Sequence, residues 1–193
     1  MKSPLTKPER QEWVTKIKGL NLSQPDASTC QSACIGMAVG DADVSNIRRK
    51  LLARGDAGSP YVMAGLIKTY KRPYAFHEHA SLAEVYDWLK RGEFLVTHGW
   101  FTGSGHVICL DGLREAPARK GYDINVKDPW SEFNASAWAY NFGSKFYDGF
   151  YSDRLIYATC VAGTSTSSAR KIYGIGQVKT EEKKMWVHRF MTD

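Results

Sequence analysis

The chain has 193 residues, 43% of them hydrophobic and 24% charged. These are the proportions of an ordinary globular domain with enough chain to bury a sizeable core, and they exclude wholesale disorder. No stretch approaches the ~18 apolar residues of a membrane span, and residues 1–18, polar and carrying Pro4 and Pro8, contain no apolar run of a secretory signal. The expectation is synthesis in the cytoplasm without a signal peptide. The net charge of +6 sits at the two ends: residues 1–18 hold five Lys or Arg against two Glu, and residues 170–193 hold six against three acids. Basic ends on a neutral body suit contact with a polyanion such as nucleic acid, anionic lipid or an acidic cell wall. No nucleic-acid-binding motif accompanies them.

In chain order, the pattern predicts a helix over residues 9–17 and then a turn-rich loop, residues 21–29, containing Gln24, Pro25 and Asp26. A second helix over residues 30–39 has Ser28 or Thr29 available as its cap. Its residues Cys30, Ala33, Cys34, Met37 and Ala38 fall at helical spacing and form a buried stripe. Further helices are predicted over 44–53 and over 60–71, the latter with Pro60 in its first turn. A short strand over 74–77 precedes an amphipathic helix over 82–90 capped by Ser81. Strands follow over 93–98, 105–113, 121–128 and 154–161, each short, β-branched or aromatic, and bounded by Gly or Pro. Helices first and strands second imply an α+β fold, an N-terminal helical layer packed on an antiparallel β-sheet. The GTSTSSA stretch over 163–169 reads as a linker. That makes residues 1–162 the domain and 163–193 a linker plus basic extension, either a tail or a late addition to the sheet.

The four cysteines lack metal-ligand spacing and are expected as free thiols. Cys30 opens a predicted helix, where the dipole favours a thiolate. Gln24 lies six residues upstream, in the approach loop. A nucleophilic cysteine needs a base, and the base needs a partner that fixes its orientation. If strands 105–113 and 121–128 form a hairpin centred near Pro117, His106 falls opposite Asp128. The pairing depends on register, because a one-residue slip sends the two side chains to opposite faces. His98, in Thr97-His98-Gly99-Trp100, is the rival base and Asp111 the rival acid, but Asp111 sits near the wrong end of the hairpin. Cys34 reads as core filler, and Cys109 and Cys160 as inert residues of buried strands. His77, Glu78 and His79 lack a third ligand and read as surface. The aromatic run from Trp130 to Tyr151 reads as core packing ahead of a cleft lining.

The order Gln24, Cys30, Gly105-His106-Val107 and Val126-Lys127-Asp128-Pro129-Trp130 resembles the C39-like peptidases of the papain-like superfamily. There, a Gln precedes a Cys at a helix start, and a Gly-His strand and an Asp-Pro after the next strand follow. The likeness spans about half of the chain, and Cys30-Gln31-Ser32 departs from the family's usual Cys-Gly-Pro. The resemblance implies a papain-like fold, a Cys30–His106–Asp128 triad, Gln24 as oxyanion donor, and hydrolysis of a peptide or amide bond without cofactor or metal. Three substrates fit that family: double-glycine leader peptides, peptides of the bacterial cell wall (peptidoglycan), and ordinary cytosolic proteins. The basic ends and the absence of a membrane span favour the cell wall, as for a phage lysin or a delivered toxin. A catalytically inactive papain-like binding scaffold is the main alternative outside the enzymes.

Overall fold

The structure, a computed structural model, describes residues 5–143 and 145–192; of the basic ends, Lys2 and Asp193 lie outside the described residues. Helix α1 (Lys7–Gly19) starts at a reciprocal capping box between Thr6 and Glu9 and buries Trp13 and Ile17. Helix α2 (Cys30–Val39) is buried from Gln31 onward and ends at Gly40 in the left-handed region. Helices α3 (Val44–Leu52) and α4 (Pro60–Lys68) are capped by Asp43 and Ser59. Together these four form the helical layer. Helix α5 (Leu82–Lys90) follows strand β1 (Tyr74–Ala80) and is capped by Ser81.

Strands β2 (Phe94–Gly99), β3 (His106–Glu115), β4 (Tyr122–Asp128) and β7 (Tyr147–Ser152) join β1 and β8 (Met185–Phe190) in one sheet, in the order β1-β8-β2-β3-β4-β7. Every pairing is antiparallel. Strands β5 (Glu132–Asn134) and β6 (Ala139–Asn141) form a separate small hairpin. Both faces of the large sheet are covered. Phe94, Val96, Val107, Cys109 and Phe190 pack against the helical layer. Leu95, Ile108, Leu110, Val126 and Val187 pack against α5 and the residues after β7. The expected helical layer on an antiparallel sheet is present, and a second covering layer lies on the far side.

Two expectations need correction. Residues 154–161 are not a strand: Ser152 caps α6 (Asp153–Ile156), which runs directly into a π-helical turn, Tyr157–Ala162. A short apolar run fits a buried helix as well as a buried strand, and here the cap decides. Nor are residues 163–193 a linker and tail. Ser165 caps helix α7 (Thr166–Ile175), so the Ser/Thr cluster is a helix start. Strand β8 then inserts between β1 and β2, the late addition to the sheet. Its Met185 and Val187 enter one core and Phe190 the other, as a strand covered on both faces requires.

Candidate active site

Cys30 is the first residue of α2, and Thr29 before it makes no side-chain cap. The first-turn N–H groups therefore stay available to stabilise negative charge on the thiol. The helix is tied to strand β3 by two other cysteines: Cys34 Sγ donates to the Val107 carbonyl at 3.3 Å, and Cys109 Sγ donates to the Cys34 carbonyl at 3.7 Å. These buried thiols lock the helix of Cys30 against the strand that begins with His106.

His106 and Asp128 meet, although not by the expected pairing. The Cys109–Lys127 and Leu110–Val126 partners put Asp128 level with Ile108. His106 lies two residues along on the same face, so the contact is diagonal. The turn spans residues 116–121, later than Pro117 alone suggests, which by itself displaces the pairing by three residues; a bulge between Leu110 and Gly112 takes one of these back. A two-residue displacement preserves the face, and the His106–Asp128 contact survives it.

Asp128 is 0% exposed, yet every lone-pair direction near it is used. Oδ1 accepts from the Trp130 backbone N–H at 3.0 Å and lies 2.8 Å from His106 Nε2. Oδ2 accepts the hydroxyls of Tyr140 and Tyr151, each at 3.1 Å. A buried carboxylate with this many donors is held in one orientation. With Nε2 so engaged, Nδ1 of His106 is the nitrogen facing the thiol. Burial alone would lower the pKa of His106; the Asp128 carboxylate and the Cys30 contact outweigh it and push it up to about 10. Burial likewise raises the pKa of Cys30, but the hydrogen bond and charge of His106 bring it below its ordinary value. The two shifts together favour a thiolate–imidazolium pair. Phe101, Trp130 and Tyr140 present edges to the imidazole and keep water from it.

Gln24 is held near this site by its backbone N–H, which donates to the Pro129 carbonyl at 2.8 Å. Its side-chain amide is turned onto the Asp26 carbonyl at 2.7 Å, while Oε1 is shielded and lacks a partner. The rival residues do not take the roles of His106 and Asp128. His98 lines the cleft beside Cys30, but it stacks on Trp186, and burial with the neighbouring His106 lowers its pKa to about 4, so it stays neutral. Asp111 bonds Asn125 and lies 4.0 Å from Lys127, away from His106. His77 packs on Trp88 and Glu78 accepts from Tyr61. No group of three or more His, Cys, Asp or Glu is disposed to hold a metal among the described residues.

The aromatic run contributes more than core. Tyr140 and Tyr151 donate to the Asp128 carboxylate, a role no spacing in the sequence announces. Trp130 and Phe142, the latter 71% exposed, line a groove of about 530 Å³ with Gln24, Pro25 and Lys145. A second cleft of about 320 Å³ holds Cys30 and His106 with Gln31, Arg48 and Leu52. Ala27 borders both. Comparison with known proteins finds no matching family model and no matching curated protein.

Proposed function

We propose that this protein is a cysteine hydrolase of papain-like type that cleaves a peptide or amide bond. The observation that carries the reading is the buried Asp128–His106 hydrogen bond ending on a half-buried thiol at a helix start. The Cys30 thiolate attacks the carbonyl carbon, and a carbon–sulfur bond forms as the carbonyl oxygen takes up the charge. The Cys30 backbone N–H and the Gln24 amide, released from Asp26, donate to that oxygen. Protonated His106 gives its proton to the leaving amine, and the thioester remains. Water, deprotonated by His106, then displaces the thiol and restores the pair. Peptides of the bacterial cell wall are the proposed substrate, in keeping with the resemblance and the basic ends, and delivery to the cell wall follows from it.

Iodoacetamide labelling across pH, read by peptide mass spectrometry, tests the chemistry. Cys34, Cys109 and Cys160 are buried, so speed alone is no criterion; the pH profile is. Cys30 should label well below the ~8.5 pKa of a free thiol, and a His106→Ala variant should lose that low-pH reactivity. An ordinary thiol profile for Cys30 overturns the reading. Release of amino groups from purified cell wall, absent in Cys30→Ala, tests the substrate.

A further inference from the structure

The cleft beside Cys30 contains a cation that makes no short ion pair among the described residues. Arg48, in the second turn of α3, lines it together with Leu52 and Asp56. Its Nη2 donates to Ser28 Oγ at 3.4 Å, a long bond to a neutral hydroxyl. Its Nη1 is shielded from solvent and has no hydrogen-bond partner among the described residues. No carboxylate of the described residues pairs with it within 4 Å. Asp26, its pKa lowered first by its bonds from Ser28, also feels the charge of Arg48, which helps to lower it, without a contact inside 4 Å. Asp26 Oδ1 accepts from the Ser28 N–H and hydroxyl, and Asp56 Oδ1 accepts from the Gly58 N–H. A shielded guanidinium N–H is costly unless an acceptor reaches it, and a carboxylate matches its planar fork best.

We propose that Arg48 selects the substrate: it anchors a carboxylate carried by the peptide lying in the cleft, so this hydrolase acts on acidic peptides. The inference rests on the proposed hydrolase reading. A carboxylate on the substrate meets the guanidinium as Arg48 turns Nη1 out of its shielded position into the cleft, with Leu52 against the adjoining methylenes. The shared chemistry has two sources, an acidic side chain or a free C-terminus.

Protection of Cys30 from iodoacetamide separates them without requiring turnover. The probes are three pools of acetylated tetrapeptides: one with a glutamate and an amidated C-terminus, one with glutamine in its place and a free C-terminal acid, and one with glutamine and an amide. The carboxylate-bearing pool that fits should protect at a concentration roughly tenfold or more lower than the uncharged pool. The first pool winning assigns a side-chain carboxylate, the second a chain terminus. In Arg48→Gln the preference should vanish, and in Arg48→Lys it should shrink. It should persist in Arg49→Gln, a change on the same helix whose guanidinium bonds Asn46. Thermal melting of each variant separates misfolding from lost recognition. Equal protection by all pools, no protection by any, or a preference that survives Arg48→Gln overturns the inference alone. A Cys30 that shows only an ordinary thiol profile removes the hydrolase reading and this inference together.

Discussion

Lys127 gives the sharpest test of how the fold holds the site. It is 1% exposed, in the strand residue next to Asp128, and its side chain points to the opposite face. Its Nζ donates to the Lys18 carbonyl at 2.6 Å, Asn21 Oδ1 at 2.9 Å and the Leu20 carbonyl at 3.3 Å, with the Ile17 carbonyl at 3.5 Å. These acceptors are the open end of α1, so a buried ammonium caps a helix C-terminus and pins the start of the loop that carries Gln24. Lys127→Met keeps the volume and removes the donors. The two short charge-assisted bonds suggest a loss of ~3–6 kcal/mol. Relief from desolvating the ammonium returns part of that, leaving ~3 kcal/mol. With a urea slope of ~2 kcal/mol per M, the unfolding midpoint should fall by ~1.5 M. Tryptophan fluorescence is the assay, because Trp13 of α1 packs 6.4 Å from Phe190. A midpoint within ~0.25 M of the parent, at that same slope, would show that the ammonium is not what holds α1, and the argument would fail.

Asp128→Asn should move the alkylation profile of Cys30 to that of an ordinary thiol, with a rate at pH 7 lower by about 30-fold; an unchanged profile would remove Asp128 from the pair. Stability should peak near pH 6.5. Burial depresses His188 to about 3, and burial with His106 depresses His98 to about 4. Their contribution is complete above their ordinary 6.5 and is lost as pH falls toward those values. His106, raised to about 10, contributes fully below 6.5 and loses that contribution as pH rises through 10. Urea titrations across pH check both limbs, and His188→Gln, which leaves an acceptor for Tyr74, should flatten the acid one. Gly105→Ala should lower Tm by roughly 4–8 °C. Gly105 sits at φ 78, where a Cβ would run into His98 Nε2; Cys30 labelling at pH 6 should slow with it, and an unchanged melt would contradict the placement of His98.

The helical layer was legible because its signals are local. The stripe from Cys30 to Ala38, Pro60 in a first turn and the cap at Ser81 depend on neighbours within a turn, and α2 and α5 run over the predicted residues. The three residues of the candidate triad were readable from chemistry and order, and a pairing two residues out still put His106 and Asp128 on one face. What could not be read was long-range. Lys127 looks like any charged strand residue until α1 ends against it. Tyr140 and Tyr151 reach Asp128 only once β6 and β7 are in place. Arg48 belongs to a helix whose charged pattern suggests a solvated face, and its position beside Cys30 depends on how α3 packs. Residues 154–161 were misread because burial on all sides erases the periodicity that separates helix from strand.

Strand β8 has a consequence for how the molecule comes into being. Residues 185–190 supply the hydrogen bonds that join β1 to β2, and nothing else in the sheet bridges those strands. While the chain is being synthesised, β1 and β2 both present open edges for the whole interval between residue 99 and residue 190. Open edges of this kind recruit other strands. A premature stop before Met185 therefore leaves not merely a shortened chain but a lone strand β1 beside a four-stranded sheet with its β2 edge open, and translation pauses in that interval are the moments at which a chaperone matters most.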